Sequence, residues 1–139
     1  ASLADHRHDA QWIVGTPGYT PPECLLGEAH EAAGDLFSLG VILHQALTGR
    51  APFAKPNLSE TLLTTISGKA PKLDELAPQA PLPLRRLVDQ LIDRYPAARP
   101  GSALQVGRRL RWIAEALVNP VVDLEEIDPA ETMPIAMDG

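Results

Sequence analysis

Residues 35–48 read DLFSLGVILHQALT, and their apolar side chains fall on nearly every side of a helical wheel. A helix that is apolar all round cannot face water, so the rest of the chain has to wrap it. The competing reading, a buried strand, is disfavoured by length, because strands of this kind run about 4–8 residues. Asp35 is placed to cap the start of the helix, and Gly49 to take the position just past its end.

Three weaker helical patterns follow. NLSETLLTTISG opens with Asn57 and Glu60 at capping-box spacing and stops at Gly68; Leu58, Leu62 and Ile66 form one narrow stripe. That predicts a half-exposed helix over 57–67. Leu84, Leu87, Val88, Leu91 and Ile92 predict a helix over 82–93. Ser102 and Gln105 make a second capping box, opening a helix over 102–118 that carries Leu104, Leu110, Ile113, Ala114 and Leu117. Asn119-Pro120 ends it. Residues 69–81 read as a proline-rich connection, too polar for core and too proline-rich for a helix. Residues 1–34 read as irregular chain with at most a short helix around Cys24–Leu26, and 120–139 as an acidic, flexible tail. With no strand pattern the fold class is all-α. Only 4% of residues are aromatic, so the core has to be mainly aliphatic.

Composition removes several functions. The formal charge of −6 argues against a nucleic-acid surface. No apolar run reaches the roughly 18 residues that span a bilayer. The start, ASLADHRHDA, has no hydrophobic centre and no initiator methionine, as expected of a processed or excised product. Cys24 is the single cysteine, which suits a reducing compartment; a cytoplasmic location is expected. His6, His8, His30 and His44 make no closed ligand set, so no metal site is expected. Cys24 has no base in view to make it a nucleophile. Neither GxxxxGK[ST] nor GxGxxG occurs.

Three places remain unexplained: GTPGYTPPE at 15–23, a stiff segment ending in one charge; Asp35, a carboxylate opening the most apolar helix; and Arg99-Pro100 between two buried-looking helices. A charge near a core has to be paired, since an isolated buried ion costs several kcal/mol. Glu23 and Arg99 are the obvious couple; two ordinary exposed residues are the alternative.

Taken in order, these places resemble the C-terminal lobe of eukaryotic-type serine/threonine protein kinases, the bacterial members most closely. GTPGYTPPE is similar to the end of the activation segment, G-T-x-x-Y-x-A-P-E. GDLFSLGVILHQALTGRAPF resembles the long central helix, D-x-W-S-x-G-x-x-L-x-E-L-L-T-G-x-x-P-F. LVDQLIDRYPAARPGSA resembles the helix and loop ending in D-P-x-x-R-P-[ST]. The resemblance implies an activation segment over 1–23 and a kinase C-lobe portion over 1–119. It implies that Thr16 contacts the catalytic aspartate of the parent kinase, and that Thr16, Pro17, Gly18 and Tyr19 bind the protein substrate. Glu23 and Arg99 form a structural ion pair, Asp35 holds the backbone of the catalytic loop, and Gly40, Val41 and Leu43 pack the central helix.

Departures from the pattern are Pro21 for alanine, Phe37 for tryptophan, and Arg94-Tyr95-Pro96 where D-P is usual. Residues 4–14 contain no Ser, Thr or Tyr, so activation by phosphate there is in doubt. The glycine-rich loop, the strand lysine, H-R-D-x-x-x-x-N and D-F-G do not occur. No catalytic residue is therefore expected in this chain, and no cofactor bound by it. ATP and Mg²⁺ belong to the intact parent. The expected partners are the N-lobe and catalytic loop of the same kinase and a protein substrate, with no nucleic acid and no membrane. A pseudokinase scaffold and another all-α interaction module stay open as alternatives.

Overall fold

The computed structural model describes residues 16–28 and 31–119. The expectations for residues 1–15, for His30 and for the tail 120–139 lie outside the described residues. Six α-helices are present among them: α1 (Pro22–Leu25), α2 (Glu31–Thr48), α3 (Leu58–Ser67), α4 (Leu73–Leu76), α5 (Leu82–Leu91) and α6 (Ala103–Val118), with a 3₁₀ turn at Pro96–Ala98. No strand occurs among the described residues, and the fold is all-α.

Helix α2 is the centre, and three groups of side chains close around it. Leu36 packs with Leu87 and Leu91 of α5 and Val106 of α6. Phe37 and Val41 pack with Phe53 and Ile92, the two phenylalanine rings stacked at 5.5 Å between centroids. Leu43 and Leu47 lie over Leu73, Ala77, Ala80 and Val88. Each fully buried Val, Leu or Phe contributes about 1.5–3 kcal/mol, so this arrangement accounts for most of the apolar wheel; the wrapping expected from the sequence is incomplete, because Ile42 and Ala46 stay exposed. Gly40 lies where α2 meets α5: a Cβ there would be 2.6 Å from the Leu91 Cβ and 2.8 Å from the Ile92 Cγ2. The two helices touch through that missing side chain.

The structure departs from the sequence reading in four places. Helix α2 starts at Glu31, so Asp35 is in its second turn and exposed, and caps nothing. Ala32 and Ala33 favour helix, and Glu31 suits the positive end of the helix dipole. Helix α3 does have its Asn57 cap, with Glu60 N donating to Asn57 Oδ1 at 2.8 Å. Its buried residues, however, are Thr61 and Thr65, while Leu58 is 47% exposed. Both hydroxyls donate to carbonyls one turn back (Asn57 at 3.1 Å, Thr61 at 2.8 Å), so the methyls can be buried with no polar atom left over.

Residues 69–81 are mostly exposed, as a connection should be, but they supply three side chains to the core. Leu73, Ala77 and Ala80 are spaced at i, i+4 and i+7 and buried, and Leu73–Leu76 makes one helical turn. Prolines at both ends hid that spacing. Helix α6 buries Val106, Arg109, Ile113 and Ala116, whereas Leu104 and Leu117 are each 61% exposed. The face that meets α5 decides this, and Arg109 fits it because Nη1 donates to Gln90 Oε1 at 2.7 Å. The cap at Ser102 is present, accepting from Gln105 N at 3.2 Å.

Candidate functional site

The stiff segment lies across the N-terminal half of α2. Tyr19 N donates to the Thr16 carbonyl at 3.1 Å, closing a turn that carries Gly18 at φ 90°. A side chain is strained at that φ, while a Cβ would make only ordinary contact with Ala54, at 3.4–3.5 Å. Ser38 Oγ donates to the Tyr19 carbonyl at 2.9 Å, and the Tyr19 hydroxyl donates to Gln45 Oε1. Pro21 and Pro22 are buried, and Pro21 reaches Gly34 of α2 closely enough that a Cβ there would meet its Cγ at 3.1 Å. Thr16 and Pro17 are exposed. The segment is thus an open turn fixed to the helix behind it.

Glu23, in α1, anchors the far end. Arg99 Nη1 donates to Glu23 Oε2 at 2.7 Å and Nη2 to Oε1 at 2.8 Å. Nη1 also donates to the Ala33 carbonyl at 2.9 Å, and Nε to the Asp93 carbonyl at 2.8 Å. The guanidinium carbon lies 4.9 Å from the centre of the Phe37 ring. The two side chains are 0% and 2% exposed. A paired, two-pronged geometry with extra acceptors is what lets such a charge pair stay buried.

Asp35 is not brought to this cluster. It begins a stripe on α2 with Leu39, Ile42 and Ala46, of which Asp35, Ile42 and Ala46 are exposed and Leu39 is half-buried; Ile42 is 55% exposed. Gly40 and Val41 are buried in the helix contacts and Leu43 is half-buried. Ser38, Gln45 and Ala54 escaped the sequence reading. Ser38 and Gln45 are seven residues apart on an otherwise apolar helix, and that polar pair on one face was the available signal.

Burial pushes the Cys24 thiol above its ordinary range, Glu23 beside it adds to this, and Arg99 offsets part. The thiol is therefore held protonated at neutral pH. Iodoacetamide should alkylate Cys24 more slowly than a free cysteine at pH 7, and the difference should vanish in urea; a folded-state rate above that of free cysteine would refute this. Among the described residues no three His, Cys, Asp or Glu are grouped to hold a metal ion, and no helix is long and apolar enough to cross a membrane.

A family model described as protein kinase domain matches residues 1–113. The serine/threonine-protein kinase ULK3 of Xenopus laevis is 35% identical over 126 residues, covering 88% of this chain and 24% of that protein. The serine/threonine-protein kinase PknK of Mycobacterium tuberculosis is 32% identical over 100 residues, covering 71% and 9%. Among solved structures, the twitchin kinase region of C. elegans matches with a TM-score of 0.62 at 23% identity, over 71% of this chain and 17% of that one. That last likeness speaks for the fold alone. The chain spans less than a quarter of the length of these kinases. A family match over most of the sequence, kinase relatives above 30% identity and a helical body with a kinase fold lead to one conclusion: the chain belongs to the protein kinase family, as a helical-lobe piece of a eukaryotic-type serine/threonine member.

Proposed function

We propose that this chain is the substrate-side half of a kinase that moves the γ-phosphate of ATP to serine or threonine in proteins, and that alone it is inactive. The observation that carries the reading is the buried Glu23–Arg99 pair, which fixes a turn whose Thr16 and Pro17 stay open to an incoming chain. Thr16 then contacts the catalytic aspartate supplied by the parent, while Pro17, Gly18 and Tyr19 shape the place for the substrate residue beside the acceptor. Asp35 holds the catalytic loop. The exposed stripe of Asp35, Ile42 and Ala46 supports a partner on that side of α2, the N-lobe and catalytic loop of the same kinase.

The family implies ATP and Mg²⁺. The residues present do not fit them: the sequence has no glycine-rich phosphate turn, no paired lysine and no D-F-G carboxylate, and phosphoryl transfer is mainly positioning and charge neutralisation by such groups. No step of the transfer is assigned to this chain. A cytoplasmic setting suits the free thiol of Cys24.

Titration calorimetry tests the proposal. Mg-ATP added to the 139-residue chain should give no binding heat up to millimolar concentration, while the longer kinase binds it and phosphorylates a serine peptide. Tight Mg-ATP binding by this chain would overturn the reading. The lack of Ser, Thr and Tyr in residues 4–14 favours a non-catalytic parent as the second reading, and phosphotransfer by the longer protein rejects that one.

A further inference from the structure

A cavity of about 440 Å³ opens beside the turn, between the end of α2, the loop that follows it and the segment leading into α4. His44, Arg50, Ala54, Lys55 and Pro71 are among its walls. Every ionisable side chain lining it among the described residues is basic, in a chain whose net charge is −6. The larger cavity of about 630 Å³ on the other side of Pro71 differs: there Lys69, Lys72 and Arg94 share the wall with Asp74, Asp89 and Asp93, which balance them. Arg50 and Lys55 are exposed and have no such counter-charge along their own cavity among the described residues.

The loop that carries the two cations is held at both ends. Arg50 N donates to Thr48 Oγ1 at 3.2 Å, and Lys55 N donates to Thr61 Oγ1 at 2.9 Å. His44 is fully buried. Its Nε2 meets the Pro71 carbonyl at 3.0 Å, so Nε2 carries the proton, and Nδ1 is buried with no hydrogen-bond partner. Ala54 belongs to this wall and is also the residue on which Gly18 rests. A chain lying on the turn therefore reaches the cavity by continuing past Ala54.

We propose that this cavity selects protein substrates with an acidic side chain near the phosphoacceptor, the carboxylate being received by Arg50 and Lys55. The inference rests on the substrate-side reading given above. A carboxylate carried on a peptide matches two cations on exposed, flexible stems that adjoin the peptide's own path. Two charge-assisted hydrogen bonds from exposed, screened side chains are together worth about tenfold in affinity.

The test uses the 139-residue chain and a fluorescent serine peptide flanked by glutamates, beside the same peptide with glutamines. The acidic peptide should bind about tenfold more tightly by anisotropy. Arg50→Ala with Lys55→Ala should erase the preference while leaving the circular dichroism unchanged, both side chains being exposed. Equal binding of the two peptides overturns the proposal. So does inorganic phosphate competing at the same concentration as the acidic peptide, which makes the cavity a small-anion site. Binding is read here without phosphotransfer, so the two readings fail separately. A parent kinase that phosphorylates both peptides equally sinks only the selection. A chain that prefers the acidic peptide but belongs to a parent without phosphotransfer sinks only the kinase activity.

Discussion

Arg99→Ala should cost about 3–5 kcal/mol of folding stability, a large part of the roughly 5–15 kcal/mol that holds a typical domain together. The loss is larger than the worth of the ion pair itself. It takes both prongs of the fork from a Glu23 carboxylate at 2% side-chain exposure, and it takes donors from the Ala33 and Asp93 carbonyls. Arg99→Lys keeps the charge but not the two-pronged fork, and should fall between. Urea unfolding followed by circular dichroism reads all three proteins. The exchange Glu23→Arg with Arg99→Glu should recover some of what either single change loses. Recovery will be partial, because a glutamate at 99 cannot donate to the two carbonyls. A loss below about 1 kcal/mol for Arg99→Ala, the range of exposed pairs, would show that the pair does not anchor the segment.

Gly40→Ala should destabilise the protein even though alanine is the better helix former. The propensity gain is about 1 kcal/mol. Against it, the new Cβ would sit 2.6 Å from the Leu91 Cβ, 2.8 Å from the Ile92 Cγ2 and 3.2 Å from the Ile92 nitrogen. A Cβ and a backbone nitrogen cannot rotate away, so α2 and α5 must separate, at about 3 kcal/mol. Gly40→Val should lose more. Gly107 in α6 is the control: a Cβ there meets nothing within 4 Å, and Gly107→Ala should raise stability by up to about 1 kcal/mol. Thermal melts that move the same way for both glycines would refute the close approach of α2 and α5.

The helical body was legible where one physical cause dominated. Asn57 and Ser102 announced their caps because a short acceptor three residues before a backbone donor has few other uses. The apolar wheel of 35–48 announced a buried centre. What escaped were faces chosen by neighbours. Thr61 and Thr65 look polar in sequence, yet bury because their hydroxyls turn back on their own helix. Leu104 and Leu117 look like core and stay outside because α5 meets the other face of α6. Asp35 resembled a cap only because nothing in EAAG announces that the helix has already begun. At the turn, residues 16–23 could be read as stiff from proline alone, but the hold of Ser38 and Gln45 on Tyr19 depends on tertiary approach.

Glu23 and Arg99 are 76 residues apart. A growing chain exposes the first long before the second exists. At about 5–20 residues per second, synthesis alone separates them by roughly 4 to 15 s. Until Arg99 emerges, the carboxylate has no reason to leave water, and the turn it anchors has no fixed seat. The order of manufacture thus leaves the turn at 16–19 without its anchor until α2, α3, α4 and α5 have been made. A nascent chain halted before residue 99 should carry a helical centre and a loose front.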